Sequence, residues 1–194
     1  MRKLIVAEFI TLDGVIQAPG GADEDTDGGF THGGWTQPYW DDAIGVHFFE
    51  TMSGADALLL GRRTWQIHGG AFEPMAEGDP FGDAMNGMRK YVASTTLESA
   101  DAWRNSTLIP GSVPAAVREL KEQPGRDILT DGSSVLVHEL AREDLVDEYR
   151  LHVYPLTLGG GKRLFPGGAR LDMTLVESAA LPTGVVYLRY RRAG

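Results

Sequence analysis

The stretch Leu58-Leu59-Leu60-Gly61-Arg62-Arg63-Thr64-Trp65 runs from an apolar segment into a glycine, two arginines and a threonine. That order predicts a buried strand feeding directly into a helix. A helix N-terminus offers unpaired N–H groups and the positive end of the helix dipole, which suit a phosphate. Gly61 permits close backbone approach, Thr64 adds a hydroxyl, and Arg62 and Arg63 supply charge. A plain strand–helix turn with two solvated arginines is the competing reading. Asp131-Gly132-Ser133-Ser134 has the same architecture, with Ser133 or Ser134 suited to capping the next helix. Two such N-termini on one rim match the two phosphates of a dinucleotide, although ordinary capping also accounts for the serines.

Other groups carry weaker signals. Gly159-Gly160-Gly161-Lys162-Arg163 lacks the first glycine of a P-loop, where Leu156 stands, and has Arg163 in place of the magnesium-binding hydroxyl. Lys162 remains a candidate cation for the site. Asp23-Glu24-Asp25-Thr26-Asp27-Gly28 opens like a calcium loop, but its twelfth position is Gly34 rather than glutamate, so a solvated acidic loop is expected. His32, His68, His138 and His152 show no ligand spacing, and His47 reads as a core histidine. Trp35, Tyr39 and Trp40 offer either an aromatic wall for a planar substrate or core packing.

The elements that must position these groups follow from periodicity. Strands are expected at Leu4–Ile10, Ala55–Leu60, Lys90–Ser94, Ser106–Ile109 and Ile128–Thr130, and through the alternating Tyr149, Leu151 and Val153. Trp40, Ile44, Phe48 and Met52 recur at helical spacing. Short helices are expected from Arg62 to His68, stopping at Gly69-Gly70, and from Ser134 to near Ala141. Ser112 caps a third, Val113–Gln123, with Pro114 in its first turn. Ala71 to Gly87 reads as irregular, with a turn of helix near Asp83–Asn86. Two final strands, Leu171–Glu177 and Val185–Arg191, flank Pro182-Thr183-Gly184 and pair antiparallel. Alternating strands and helices predict one α/β domain over residues 1–194, with a mostly parallel sheet between helical layers. Ligands in such folds sit at the carboxyl ends of strands. That places the turns after Ile10, Leu60, Val92 and Thr130 on one rim.

Six motifs stand in order along the chain: Thr11-Leu12-Asp13-Gly14-Val15-Ile16, the Leu60–Trp65 turn, Lys90-Tyr91-Val92-Ala93-Ser94, Asp131-Gly132-Ser133-Ser134, Leu145-Val146-Asp147-Glu148 and Pro155–Phe165. Together they resemble the reductase domain of the bifunctional riboflavin-biosynthesis deaminase–reductase, a branch of the dihydrofolate-reductase-like superfamily. The resemblance implies a three-layer sandwich and an NADPH site. Gly61, Arg62, Arg63 and Thr64 would meet phosphates, Ser94 and Thr95 the 2′-phosphate region, and Asp131, Gly132, Ser133 and Ser134 the pyrophosphate. It also implies that Asp13 and Gly14 lie in a loop closing over nicotinamide and substrate. Asp13, Thr11 and Lys162 are the catalytic candidates, and Gly14, Trp40, Asp42 and Phe48 the candidate substrate contacts. The first substrate expected is a ribosylamino-pyrimidine reduced at its sugar carbonyl. Another pterin-like or carbonyl compound, or ligand binding without turnover, is the alternative.

Departures bear on the substrate. Dihydrofolate reductases carry a carboxylate on the helix before the Gly-Arg turn; the gap-free register puts Gly45 there, with Asp41 and Asp42 about a turn earlier. The deaminase half has no counterpart. Composition excludes further classes. There is no cysteine, which removes disulfides and thiolate metal sites and fits a reducing cytoplasm. A net charge of −9 argues against a nucleic-acid partner. No apolar run approaches the roughly 18 residues of a membrane span, and Glu8 interrupts the N-terminal one. The closing hairpin leaves a sheet edge, so a homodimer acting on a small molecule is expected.

Overall fold

A computed structural model describes residues 1–165 and 170–193. Eight strands form one sheet: β1 Leu4–Thr11, β2 Ala55–Gly61, β3 Arg89–Ala93, β4 Ser106–Leu108, β5 Asp127–Thr130, β6 Glu148–Tyr154, β7 Met173–Ala180 and β8 Val186–Arg192. Five helices accompany them: α1 Asp42–Ser53, α2 Arg62–Phe72, α3 Pro80–Gly87, α4 Val113–Glu122 and α5 Ser134–Arg142. The strand order is β4-β3-β2-β5-β1-β6-β8-β7. The first six strands in that order pair parallel, and β8 and β7 join antiparallel. The expected α/β sandwich of dihydrofolate-reductase type is therefore present, with its closing hairpin.

Alternation along the central strands explains why both faces are covered. Leu4, Val6 and Ile10 of β1, with Ala57 and Leu59 of β2, pack beneath α4 and α5. Ile5 and Ala7, with Leu58 and Leu60, face α1, α2 and α3. Strands apolar on both sides need helices on both sides. A third cluster, around Trp35, Phe30 and Tyr154, anchors the segment after β1. The Trp35 Nε1–H donates to the Gln17 carbonyl at 2.8 Å, so this glycine-rich stretch is a packed loop rather than a loose one.

Three elements differ from expectation, each for a packing reason. Helix α2 runs through Gly69-Gly70 to Phe72. A Cβ on Gly69 would stand 3.2 Å from that of Trp103, so the glycine admits a buried tryptophan and does not end the helix. Helix α3 fills part of the stretch expected to be irregular. Asp79 caps it, accepting from the Phe81 and Gly82 amides, and Pro80 takes the first position. Its carboxyl end is held by the buried Lys90, whose ammonium donates to the carbonyls of Met85, Asn86 and Met88. Helix α1 begins after Asp41, which accepts from the Ala43 and Ile44 amides, so Trp40 lies outside it. Ser112 caps α4 as expected, accepting from Ala115. Among the described residues no helix is long and apolar enough to cross a membrane.

The hairpin is fastened to the parallel sheet by charge. Glu148 is fully buried, with Arg150 Nε and Arg189 Nε each 2.7 Å from its Oε1. Burial pushes its carboxyl up, but the two guanidinium groups prevail and hold it below the ordinary value. Glu148→Gln is expected to cost about 3–5 kcal/mol in urea unfolding, because two arginines lose their buried counter-charge. A depressed native value means that Glu148 adds stability above the ordinary carboxylate range and loses it as pH falls through the depressed one. The variant should therefore show a flatter acid limb than the parent. On the far side β7 is an edge strand with Leu175 50% and Val176 39% exposed. If a second copy covers that edge, light scattering gives about twice the 21.1 kDa chain mass, and a clean monomer mass removes the expectation.

Candidate functional site

The cleft arises from one mismatch in strand length. Strand β5 ends at Thr130, opposite Val6 of β1. Its neighbours run further, β1 to Thr11 and β2 to Gly61. Past Thr130 a gap opens between β1 and β2, and the gap floors a cleft of about 1140 Å³. Pockets of about 300–1,000 Å³ hold drug-sized ligands, so this one has room for a larger molecule or for two. Ala7, Glu8 and Phe9 line it from β1, Gly61 to Thr64 from the β2–α2 turn, and Asp131 to Leu136 from the β5–α5 turn.

The two turns are tied by reciprocal hydrogen bonds. The Gly61 amide donates to Ser133 Oγ at 3.0 Å, and the Ser133 amide donates to Thr64 Oγ1 at 3.0 Å. Gly132, at φ +53°, lies so close that a Cβ would stand 2.9 Å from Thr64 Oγ1. Ser133 is itself left-handed at φ +46°, and its side chain serves the opposite turn instead of capping α5. Neither α2 nor α5 has a side-chain cap of its own. Two helix N-termini with uncapped first-turn amides thus stand side by side at the cleft, which is a favourable place for phosphates.

The cations around the cleft are mostly engaged. Arg63 is 3.1 Å from Asp25 and 2.5 Å from Asp27, and Lys162 is 2.6 Å from Asp25 and 3.0 Å from Asp27. Hydrogen bonds from Arg63 and then Lys162 hold the Asp27 carboxyl down at about 2. The acidic segment expected to be solvated is therefore a strap across the cleft mouth, with the Asp25 side chain only 12% exposed. Among the described residues Arg62 makes only a long contact, 3.4 Å, to Gln66. Ser94 accepts from the Thr96 and Leu97 amides, and Ser94, Thr95 and Thr96 line the wall beyond β3.

Several expected site residues stand elsewhere. Thr11, Asp13, Gly14, Trp40 and Asp42 do not line the cleft, whereas Phe48 and Lys162 do. The Thr11 hydroxyl donates to Asp13, and Asp13 accepts from the Leu158 and Gly159 amides. The Thr11 contact first, then those amides, lower the Asp13 carboxyl. This turn is a latch onto the loop after β6, because β1 carries it past the cleft. Asp42 is exposed in the first turn of α1, and Trp40 is half exposed. A Cβ on Gly45 would meet only the Trp40 ring, and Asp41 is occupied in capping, so α1 presents Phe48 and no acid.

Two groups of the cleft, Glu8 and His68, lie where the motifs did not point. Glu8 sits on β1 just beyond the end of β5, only 6% exposed, and among the described residues its Oε1 has no partner. Burial first, then the Asp131 charge, push its carboxyl well up, with the Gly132 amide opposing them. Such a placement favours the protonated form of the carboxyl. Asp131 Oδ1 and Thr130 Oγ1 are also buried without partners, while Asp131 Oδ2 lies 2.9 Å from His68 Nε2. Burial works against the His68 imidazolium, but the Asp131 charge and hydrogen bond and the more distant Glu24 hold it above the ordinary histidine value. Neither Glu8 nor His68 belongs to a spacing motif. The signal available for Glu8 was an acid interrupting a strand that is apolar on both faces.

The volume, the paired uncapped helix N-termini and the orphaned oxygens suit a phosphate-bearing ligand with a polar head. Comparison with known proteins points the same way for the fold. Over its whole length the chain is 27% identical to the uncharacterized protein YyaP of Bacillus subtilis, covering 96% of that protein. It superposes on a Thermotoga maritima diaminohydroxyphosphoribosylaminopyrimidine deaminase/5-amino-6-(5-phosphoribosylamino)uracil reductase with a TM-score of 0.65 at 16% identity. That match covers 99% of this chain and 57% of the Thermotoga chain. A dihydrofolate reductase of Enterococcus faecalis, complexed with NADP(H), gives 0.62 at 15% identity over 99% and 97% of the two chains. The model of the RibD C-terminal domain matches residues 2–187, and the chain belongs to that family.

Proposed function

We propose that this chain is an NADPH-dependent reductase delivering hydride to a small heterocyclic substrate, with 5-amino-6-(5-phosphoribosylamino)uracil, reduced at its ribosylamino carbon, as the first candidate. The observation that carries this reading is the pair of interlocked, uncapped helix N-termini beyond the end of β5. The family, and the activity named for the Thermotoga relative, support the reaction class. The first-turn amides of α2 and α5 would hold the pyrophosphate, with Gly132 allowing its close approach. Arg62, Ser94 and Thr95 would hold the 2′-phosphate. The bound cofactor supplies the hydride, so the protein's work is to orient, to exclude water and to manage a proton. Phe48 and the strap around Asp25 would close the cleft against solvent, and Lys162 holds that strap through Asp25 and Asp27.

Two results are expected. In fluorescence titration NADPH should bind more tightly than NADH. Arg62→Ala should weaken NADPH about tenfold, near 1.4 kcal/mol, and leave NADH unchanged, since its guanidinium is the one suited to grip a further phosphate. Equal affinities of the parent for both cofactors would overturn the assignment. Dihydrofolate should be reduced far more slowly than ordinary enzyme rates, on the order of 10 per second. Dihydrofolate reductases carry the carboxylate that holds and helps protonate the pterin on the helix matching α1. Here α1 brings only Phe48 to the cleft, while Glu8, His68 and Asp131 stand on β1, α2 and the β5–α5 turn. Turnover at that ordinary rate would contradict the proposal.

A further inference from the structure

We propose that His68, oriented by Asp131, is the proton donor of the reduction. This rests on the reductase reading above and adds the group that completes it. His68 lines the cleft from α2, and the Asp131 carboxylate approaches one ring nitrogen, Nε2, at 2.9 Å. A carboxylate only accepts, so Nε2 carries its hydrogen toward Asp131, and Nδ1 is left as the atom open to a ligand. Among the described residues no hydrogen bond reaches Nδ1.

A purely structural pair, joining α2 to the β5–α5 turn, would leave the surroundings satisfied. They are not. The second oxygen of Asp131 and Oε1 of Glu8 are buried without partners in the same wall of the cleft. Buried polar atoms ordinarily find partners, so this wall is built for a polar ligand. The groups facing the ring from the surrounding elements have been placed for charge as well. Asp131 from the β5–α5 turn and Glu24 from the strap favour the imidazolium. Phe72 of α2 and Trp103, before β4, present ring edges at 5.7 and 6.4 Å and carry no charge. Burial of Glu8 favours its neutral form.

The step balances. With NADPH bound, hydride would reach C1′ of the ribosylamino group as its C1′–O4′ bond breaks; that bond's electron pair stays on O4′, and the Nδ1 proton of His68 transfers to it. An alcohol, an oxidised nicotinamide and a neutral imidazole still bonded to Asp131 result, and water restores the proton. Stabilising a developing alkoxide by a positioned acid contributes about 10²–10⁴-fold.

The test uses the intact protein, NADPH and 5-amino-6-(5-phosphoribosylamino)uracil. In the wild type the His68 imidazole, followed by NMR, should titrate above the ordinary histidine value and shift when the pyrimidine is added. kcat should fall as pH rises through the same value. His68→Gln should bind NADPH like the parent, lose about 10²–10⁴-fold in kcat and lose that alkaline limb. Asp131→Asn, which removes the positioning charge, should move both the NMR titration and the limb to lower pH. A parent that turns over, with a His68→Gln variant of equal kcat and unchanged pH profile, overturns the role of His68 alone. A His68 resonance indifferent to the pyrimidine in a parent that turns over does the same. A parent that neither binds nor oxidises NADPH overturns the reductase reading and this assignment with it.

Discussion

The site exists because β5 is short. A four-residue strand lies between one of eight and one of seven, and the chain leaves it through left-handed Gly132 and Ser133. An αL pair cannot continue a strand, so the backbone turns out of the sheet and enters α5. This removes the neighbour that would have covered β1 beyond Val6, which leaves Glu8 beside a cavity instead of a strand. It also brings the start of α5 against the start of α2. The exchange of hydrogen bonds between Thr64, Ser133 and Gly61 then sets the spacing of the two N-termini. Thr64 and Ser133 use their hydroxyls on each other's segments, so they define the cradle's shape, and backbone amides remain to meet a ligand.

Charge in the cleft is balanced locally. Arg63 and Lys162 form a closed group with Asp25 and Asp27, two cations against two carboxylates. An approaching anion meets little net attraction from that group, and the whole chain carries −9. Short-range amide dipoles and Arg62 therefore have more to do in the phosphate region than the basic doublets alone suggest. The opposite arrangement holds at Glu148, where one buried carboxylate serves two arginines and joins the antiparallel hairpin to the parallel sheet.

Much of the fold was legible in the sequence because it is written in apolar alternation and in chain punctuation. Leu58-Leu59-Leu60 followed by glycine announced both β2 and the start of α2, and Asp131 to Ser134 announced α5. What misled was local chemistry read without tertiary context. Gly69-Gly70 looked like a helix stop, yet Gly69 is there to admit Trp103. Thr11, Asp13 and Gly14 form a conspicuous turn, but β1 runs too far for that turn to reach the cleft. Glu8 and His68 went unplaced for the converse reason. Each is a single titratable residue in a regular element, and only the register of β1 against β5 and the contact of α2 with the β5–α5 turn bring them to Asp131.

The central position of β1 also governs when the cleft can form. Leu4 pairs with Ile128, and Ile5 with Glu148, so β1 must wait for partners made much later. At about 5–20 residues per second, ribosomal synthesis separates them by on the order of 10 seconds. During that interval β1 is an apolar segment with one embedded carboxylate, and that carboxylate, solvated and ionised, favours its remaining in water. Contacts so distant in sequence slow folding, because loop closure precedes any reward. A nascent N-terminal half can gather α2 and β2, but it lacks the α5 N-terminus and half of the cradle. Ligand binding is thus a property that the chain acquires only after α5 has been made.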